Sequence, residues 1–301
     1  MKILVTGGSS MVGKHLQKII PDALYLSSKD CDLENYNQTF NLVKDVKPDR
    51  VIHLAAKVGG IMDNINNPVD FFEKNIYINT NILKACFKNN VFNFTGILST
   101  CIYPDKVSSD QYPMKENLLH QGPPTQTNFS YGYAKRCLAV QCETYNKQYQ
   151  TNYSNLIPCN LYSEYDHFEG DKAHFLSSLV KKINNAKINK ISHIELMGTG
   201  SPLRQFMYSE DLAKAIEITS RESQPFLYNI CNNENLSIKE MAEIGLNSCD
   251  ASEIKIKWDS SKPDGQYRKD ADSSKFSKKY PDFKFTKLKD GISKVYNDKF
   301  K

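Results

Sequence analysis

The stretch KILVTGGSSMVG, residues 2–13, decides the fold of this 301-residue chain. Its apolar start predicts a short buried strand, and the apolar spacing that follows predicts a helix. Glycines in such a turn let the backbone approach a pyrophosphate, which the N–H groups and dipole of the helix N-terminus attract. A plain turn without a ligand is the alternative, which the strand-turn-helix context disfavours. The residues assigned to this dinucleotide phosphate site are Gly7, Ser9, Ser10 (in place of a third glycine), Met11, Val12 and Gly13.

Further apolar runs alternate with helical patterns along the chain. Residues 23–29, 50–56, 91–99 and 228–231 each predict a strand. Strands that alternate with helices indicate a parallel sheet covered on both faces, so we expect an α/β protein with a Rossmann-type doubly wound sheet. Ligands of such sheets bind at the carboxyl ends of the strands. The phosphate turn and the residues after the third and fourth strands should therefore line one crevice.

The end of the second predicted strand bears on the choice of dinucleotide. A site for NAD usually has Asp or Glu there, which binds the ribose 2′-hydroxyl. This chain has Ser28 and Lys29 instead, and hydroxyls with a cation suit a 2′-phosphate, so NADP (NADPH) is favoured. Asp32 and Leu33 lie just beyond, on the expected adenine side, and the carboxylate weakens this preference.

A tyrosine and a lysine four positions apart, Tyr131 and Lys135, share one face of a predicted helix. A nearby ammonium lowers the pKa of a phenol, so we expect a reactive pair that passes a proton to or from a substrate oxygen. Ser99 ends the fourth predicted strand, where its hydroxyl would reach the same oxygen. Tyr133 lies off the lysine's face, and we assign it to packing or a dimer surface.

Two later serines are candidate starts of helices. Ser209 is a candidate N-cap for a helix that returns to the dinucleotide domain. Ser237, three residues before Glu240, has the spacing of a capping box. Residues 260–269 read as a basic loop.

With these motifs in view, the chain resembles the extended short-chain dehydrogenase/reductases, nearly end to end. Within them it is similar to the GDP-L-fucose synthase family, the GDP-4-keto-6-deoxymannose 3,5-epimerase/4-reductases. The most specific segments are HLAAKVGGI (53–61), STCIYP (99–104), PCNLY (158–162), GTGSPLRQF (198–206) and SKPDG (261–265).

The resemblance implies two sets of catalytic residues in one pocket. Ser99, Tyr131 and Lys135 would form a reductase triad, and Cys101 and His174 would epimerise the sugar. A ketone at C4 acidifies the hydrogens at C3 and C5, and a thiol and an imidazole titrate on either side of neutral pH. Both suit the base and the acid that epimerisation needs. Hydride from NADPH and a proton from Tyr131 would then reduce the ketone.

The resemblance also implies ligand contacts and an assembly. Residues 1–160, with 203–231 returning, would bind the dinucleotide; 161–202 and 232–301 would form a smaller nucleotide-sugar lobe. A homodimer is implied through the helices near 71–86 and 133–147. Met197 stands where the family usually has tryptophan, and SEY (163–165) replaces its usual Gly-Pro. Further cofactor contacts would be Leu54, Ala55, Ala56, Leu98, Tyr131, Lys135, Pro158, Asn160, Leu161 and His174; substrate contacts would be Lys182, Met197, Arg204, Lys262 and Lys269.

Several alternatives stay open. Cys101 could be a buried structural cysteine, although its place at a strand's carboxyl end favours a role in the site. A nucleotide-sugar 4,6-dehydratase would want an acid pair where Thr100 and Cys101 stand. A C4 reductase without epimerase activity, acting after a separate epimerase, would keep the same motifs. The sugar could also be a related 4-keto heptose instead of a 6-deoxyhexose. A catalytically silent binding subunit usually loses the Tyr or the Lys, and both are present.

Composition bounds the remaining classes. Hydrophobic residues make up 40% and charged residues 24%, an ordinary globular mix that excludes wholesale disorder. Apolar runs are too short for a membrane helix or a signal peptide, so we expect a cytoplasmic protein with no membrane partner. None of the eight cysteines forms a CxxC pair, which disfavours disulfides and a metal site.

The net charge of +5 comes from the C-terminal segment. Residues 253–301 carry 14 basic and 8 acidic residues. Nucleic-acid binding is one interpretation. The cations are spaced among acids and aromatics, however, which favours a solvated face or attraction for a diphosphate, with no nucleic-acid partner.

Overall fold

The computed structural model describes residues 1–170, 173–262 and 264–301, so Pro263 of the SKPDG segment lies outside the described residues. The strands are β1 (Ile3–Thr6), β2 (Leu24–Leu26), β3 (Arg50–His53), β4 (Asn93–Ile97), β5 (Asn152–Pro158), β6 (Asn160–Tyr162), β7 (His193–Met197), β8 (Leu203–Tyr208), β9 (Leu227–Ile230), β10 (Asn235–Ser237), β11 (Lys255–Asp259) and β12 (Arg268–Lys269). The helices are α1 (Met11–Ile19), α2 (Tyr36–Val46), α3 (Ile61–Asn66), α4 (Pro68–Lys88), α5 (Phe129–Tyr149), α6 (Phe175–Ile188), α7 (Ser209–Thr219), α8 (Ile238–Ser248), α9 (Ser274–Lys279) and α10 (Leu288–Phe300).

One parallel sheet organises the larger part of the molecule. Its strands run in the order β2-β1-β3-β4-β5-β9, and every neighbouring pair is parallel. Strand order reverses between β1 and β3, which opens a crevice at their carboxyl ends. The prediction of a doubly wound α/β sheet is confirmed.

Helices bury this sheet on both faces. β1, β3 and β5 are buried along their whole length, as strands of a covered parallel sheet must be. α4 packs against α2 and α5, and α1 packs against α7. β2 is shorter than the run that predicted it, because the chain turns at Ser27, whose N–H and hydroxyl both donate to Asp30.

A smaller lobe is built around β8. β10 pairs antiparallel with β8, β6 and β12 pair parallel with it, and β7 pairs with β11 in a separate ribbon. A second hydrophobic cluster from α6, α8 and α10 includes Leu179, Ile183, Met241 and Ile292. Ala271 and Phe276 instead join the core of the large sheet. The exact domain limits remain a prediction.

Two predicted helix starts have different outcomes. Ser237 and Glu240 form the capping box at the start of α8, as predicted. The prediction that Ser209 is an N-cap is wrong, because Tyr208 occupies that position. Ser209 is buried as the first helical residue, and its hydroxyl donates to the Tyr162 carbonyl at 3.1 Å. A second correction concerns the basic loop, which ends in strand β12.

The state of the cysteines and the character of the helices concern the expectations about disulfides and membrane helices. All eight cysteines are free thiols, and Cys101 and Cys137 are the two that reach the surface in part. Across the described residues, the helices lack the combined length and apolar character needed to cross a membrane.

Candidate active site

The glycine turn after β1 has the shape of a phosphate cradle. Gly7 has φ +71°, and a β-carbon there would lie 2.7 Å from the Ala55 nitrogen, so the turn needs glycine to sit against the segment after β3. Ser10 caps α1 by accepting from the Gly13 N–H at 3.1 Å. Its hydroxyl replaces the expected glycine because it satisfies an N–H that the helix leaves unpaired. Met11 and Val12 then open the helix beside the crevice.

The residues that follow β2 present a hydroxyl, an ammonium and two carboxylates at the surface. Ser28 and Lys29 are exposed. Asp30 accepts from the Ser27 N–H at 2.8 Å, and this bond holds the pKa of Asp30 below its ordinary value. Asp32 accepts from the Glu34 N–H at 3.0 Å. Ser28 and Lys29 thus offer a hydroxyl and an ammonium, while the exposed carboxylates of Asp30 and Asp32 keep further acceptor sites.

His53 joins strands and helix below the crevice. It lies 2.8 Å from the Thr6 hydroxyl and 3.1 Å from the Asn79 side-chain oxygen, and it is fully buried. Burial, with the charge of Lys135, lowers the pKa of His53 to about 3, so the ring is neutral. Its role is therefore in the core.

The loop after β3 is fixed by a residue that the sequence analysis did not single out. Asn75 on α4 accepts from the Lys57 N–H at 3.1 Å and donates to its carbonyl at 3.0 Å. Asn75 is fully buried. These bonds position the half-buried residues 54–56 at the carboxyl end of β3.

The other predicted cofactor residues lie at neighbouring strand ends. Leu98 follows β4 and is buried, and its N–H donates to the Leu156 carbonyl at 2.8 Å. Pro158 ends β5. In β6, Asn160 donates to the Gln205 carbonyl at 3.0 Å, and Leu161 is half-buried. The parallel sheet thus brings Leu98 and Pro158 to the edge that also carries the glycine turn, and β6 follows directly from β5 there.

Tyr131 and Lys135 both lie on α5, as predicted, but their coupling differs from the expectation. The Lys135 ammonium donates to the Ile97 carbonyl at 2.8 Å, and burial lowers its pKa to about 8. Burial, with the charge of Cys101, raises the pKa of Tyr131. The expected lowering of that pKa is therefore wrong, because burial of the phenol, with the charge of Cys101, acts in the opposite direction. Tyr131 is a protonated phenol that can donate.

Ser99 and Cys101 lie in the tight turn after β4. The Ser99 hydroxyl accepts from the Cys101 N–H at 3.2 Å and caps a short 3-10 turn. A β-carbon on Gly132 would lie 2.7 Å from the Cys101 carbonyl oxygen. Glycine next to Tyr131 therefore lets this turn approach α5, which brings the serine, the cysteine and the tyrosine to one place.

The Cys101 thiol has a cationic and polar environment. The Lys269 ammonium lies 3.3 Å from Sγ, and the Asn128 amide nitrogen lies 3.5 Å from it. Burial alone would raise the pKa of Cys101, but Lys269, with the hydrogen bonds from Ser99 and Asn128, lowers it below the ordinary value. Cys101 thus differs from six other cysteines, because burial raises the pKa of their thiols. These are Cys31, Cys86, Cys137, Cys142, Cys231 and Cys249. The assignment of Lys269 to the substrate stays a prediction, and the structure adds that its ammonium contacts the sulfur.

His174 comes just before α6 and is paired with an acid. Its Nδ1 lies 3.1 Å from each carboxylate oxygen of Asp166. This hydrogen bond raises the pKa of His174. Cys101 and His174 therefore have different partners. Lys269 favours the thiolate of Cys101, and Asp166 favours the imidazolium of His174. The sequence analysis did not single out Asp166.

The predicted substrate residues fall into two groups. Arg204 on β8 donates to the Leu203 and Tyr267 carbonyls. Burial lowers its pKa, and the charge of Cys101 opposes this in part. Lys182 donates to the Glu195 carbonyl at 2.7 Å on the outer ribbon. Met197 is 70% exposed at the end of that ribbon, and Lys262 is exposed. The structure therefore brings Lys269 to the thiol, whereas Lys182 lies on the outer ribbon.

Two loops of the lobe are joined by an unpredicted contact. The Asp264 carboxylate accepts from the Thr199 N–H and hydroxyl, both at 2.7 Å. Arg204 lowers the pKa of Asp264 as a minor contribution after these bonds. The contact holds the loop after β7 against the loop that precedes β12.

The substituted segment 163–165 is anchored to α1, the helix that follows the glycine turn (the phosphate helix). His15 on α1 lies 3.0 Å from the Ser163 hydroxyl, and the Glu164 carboxylate accepts from the Tyr208 hydroxyl at 2.8 Å. Lys14 and Lys18 lie over the Tyr165 ring, 4.9 and 5.3 Å from its centroid. Burial lowers the pKa of His15, which the sequence analysis left without a role.

Comparison with known proteins agrees with this geometry. Residues 3–231 match the NAD dependent epimerase/dehydratase family. The chain is 38% identical over 302 residues to a GDP-L-fucose synthase of Dictyostelium discoideum, covering 96% of this chain and 92% of the relative. It superposes with a TM-score of 0.88 and 33% identity on a GDP-L-fucose synthetase of Naegleria fowleri bound to NADP, covering 98% of this chain and 91% of that one.

A third similarity is to a GDP-6-OMe-4-keto-L-xylo-heptose reductase from C. jejuni, with a TM-score of 0.86, 25% identity and coverage of 98% and 96%. Fold, site geometry and these similarities confirm the resemblance drawn from the sequence motifs. The chain belongs to the NAD dependent epimerase/dehydratase family, in the group that contains the GDP-L-fucose synthases.

Proposed function

We propose that this chain is an NADPH-dependent oxidoreductase that reduces C4 of a GDP-linked 4-keto-6-deoxy sugar after epimerising C3 and C5 in the same pocket. One observation carries the proposal. The Lys269 ammonium favours the thiolate of Cys101. Cys101 lies in the same turn as Ser99, and this turn packs against the helix that carries Tyr131. A base for carbon acids and a proton donor for the ketone oxygen therefore meet at one strand end.

Epimerisation uses the thiolate and the imidazolium. Cys101 removes the proton on the carbon beside the ketone, and the electron pair moves onto the C4 oxygen. The hydroxyls of Ser99 and Tyr131 bind that oxygen and stabilise its charge. His174 returns a proton to the opposite face of the same carbon. The lowered pKa of Cys101 and the raised pKa of His174 match this direction of proton flow.

Reduction uses the protonated tyrosine. NADPH, when bound, supplies the hydride for C4. Tyr131 gives its proton to the C4 oxygen, and the raised pKa keeps that proton in place until the oxygen becomes basic. Lys135, fixed on the Ile97 carbonyl, keeps a positive charge one helical turn away, where it stabilises the phenolate that remains.

The cofactor site fits a phosphorylated dinucleotide. Gly7 lets the turn pack against the segment after β3, and α1 presents its N-terminal N–H groups at this turn, where a phosphate would bind. Exposed Ser28 and Lys29 suit the 2′-phosphate of NADP, since a hydroxyl and an ammonium can both donate to it. The Naegleria fowleri relative bound to NADP supports the same choice.

Three further parts complete the proposal. Arg204, with Lys262, would face the diphosphate of the GDP-sugar. α4 and α5 leave apolar side chains exposed, among them Val69 and Phe72, and these suit a homodimer interface. The protein would work in the cytoplasm, where its nucleotide substrates occur.

The test is a screen of 4-keto sugars. GDP-4-keto-6-deoxymannose, its dTDP-linked counterpart and a GDP-4-keto heptose are each incubated with NADPH, and product stereochemistry is read by NMR. We expect NADPH oxidation with a GDP-linked ketone and inversion at C3 and C5. Solvent deuterium at C3 or C5 without NADPH would support epimerisation. Oxidation without such incorporation would leave a reductase only, and no oxidation with any ketone would refute the proposal.

A further inference from the structure

The sequence analysis gave Asp166 no role, yet its carboxylate faces the imidazole of His174. Both oxygens lie 3.1 Å from Nδ1, and Oδ2 also accepts from the Ser177 hydroxyl at 2.5 Å. The Asp166 side chain is 2% exposed, whereas that of His174 is 44% exposed. A buried acid thus binds one ring nitrogen and leaves Nε2 for a proton transfer.

The turn that carries Asp166 is anchored to the rest of the fold. The Asp166 N–H donates to the Ser163 carbonyl at 3.2 Å. Ser163 is bonded to His15 on α1, and Glu164 to Tyr208 on β8. These buried contacts connect the turn to the phosphate helix and to the centre of the lobe. The position of Asp166 is therefore set by packing outside its own loop.

The charges around His174 point to the same residue. Among the described residues, the charge that acts on His174 is that of Asp166, which raises its pKa through the hydrogen bond. Another acid of this loop, Glu169, pairs with Lys181 at 3.1 Å and is 74% exposed. Glu169 therefore offers a matched control, because it lies in the same loop and has a different partner.

We propose that Asp166 is a positioning residue for His174: by binding Nδ1 it orients the ring so that Nε2 returns the proton during epimerisation. This inference rests on the proposed function, since it assigns a further residue to the same site. Asp166 acts through His174 and does not itself touch the sugar.

The first test needs no substrate. The imidazole resonances are titrated by NMR in the wild-type chain, in Asp166→Asn and in Glu169→Gln, and His174 is assigned by its loss in His174→Asn. We expect the pKa of His174 to fall by about one unit in Asp166→Asn and to stay unchanged in Glu169→Gln. Equal values in all three proteins would overturn the proposal, whatever the substrate proves to be.

The second test separates this proposal from the proposed function. Deuterium incorporation into GDP-4-keto-6-deoxymannose is followed without NADPH. We expect Asp166→Asn to slow it by roughly tenfold or more, with the alkaline limb of the pH profile displaced to lower pH, and Glu169→Gln to match the wild type. No incorporation by the wild type would refute the proposed function. Wild-type incorporation with an unaffected Asp166→Asn would refute the positioning role.

A second variant tests the proposal even if Asp166→Asn fails to fold. Ser177→Ala removes the hydroxyl that donates to Asp166 while keeping the carboxylate charge. We expect it to slow deuterium incorporation by about threefold, since one hydrogen bond orients the carboxylate. Incorporation at the wild-type rate in this variant would count against the positioning role.

Discussion

The ammonium nitrogen of Lys269 lies 3.3 Å from the sulfur of Cys101, although 168 positions separate the two residues. Lys269 belongs to β12, which pairs with β8 in the smaller lobe, whereas Cys101 follows β4 of the large sheet. The lobe thus supplies the charge that stabilises a thiolate at the edge of the dinucleotide site. The proposed base for epimerisation therefore forms only when both parts of the fold are in place.

Lys269→Met should raise the pKa of Cys101, because burial then acts with less opposition. We expect the rate of alkylation by iodoacetamide at neutral pH to fall by about tenfold or more, and deuterium incorporation into the sugar to fall with it. The thiol pKa is measured from the pH dependence of alkylation.

The control for this prediction is Lys257→Met, which removes an exposed cation from β11. Both variants carry Cys137→Ser, because Cys137 also reaches the surface in part. An unchanged thiol pKa in Lys269→Met would show that the contact does not govern ionisation.

Tyr131→Phe should abolish reduction while leaving the cofactor site intact. Loss of the proton donor should slow NADPH oxidation by roughly 10²- to 10⁴-fold. Binding of NADPH, followed by fluorescence, should change little, since the ring keeps its packing against Phe71 at 6.4 Å between centroids. Oxidation near the wild-type rate would refute the role of Tyr131.

The lowered pKa of Lys135 predicts an alkaline limit for reduction. Burial sets this pKa at about 8, so kcat/KM for NADPH oxidation should be level below that pH and fall above it as the ammonium is lost. The unfolded chain keeps that proton up to the ordinary pKa of 10.5, so this group makes the free energy of unfolding rise with pH between about 8 and 10.5. Lys135→Arg should abolish the limb, and a level wild-type profile from pH 7 to 9.5 would contradict the assignment.

Tyr208→Phe should weaken the connection between α1 and the lobe. Glu164 would lose a buried donor at 2.8 Å, and we expect a loss of about 1–3 kcal/mol in the free energy of unfolding by urea. Tyr228→Phe is the matched control, because its hydroxyl donates at 3.3 Å to the half-exposed Glu222. Equal losses of stability in the two variants would show that the buried Tyr208–Glu164 hydrogen bond contributes no more than the Tyr228–Glu222 one.

The proposed dimer predicts a concentration-dependent mass. Exposed apolar side chains on α4 include Phe72, and those on α5 include Val140. Sedimentation velocity at micromolar concentration should give twice the 34.4 kDa of one chain. Phe72→Asp with Val140→Asp should give a monomer, whereas Ile188→Asp, at an exposed position at the end of α6, should not. A wild-type monomer would contradict the dimer.

Local patterns in the sequence were enough to predict the doubly wound sheet and part of the site. Residues 2–13 contain a strand, a turn and a helix start within one short segment, so neighbouring residues settle their structure. The spacing of Tyr131 and Lys135 likewise places both on one face of α5, because helix periodicity is local. The sequence could not show that the lysine would donate to the Ile97 carbonyl, nor that burial would raise the pKa of Tyr131.

What the tertiary structure alone decided is which charges and hydrogen bonds each reactive group meets. Lys269 reaches Cys101 from another lobe, and His15 meets Ser163 across 148 positions. Asp166 is only eight residues from His174, yet its role depends on a turn whose position is set by α1 and β8. The physical reason is that the pKa of a group follows burial and near charges, and folding brings both from distant parts of the chain.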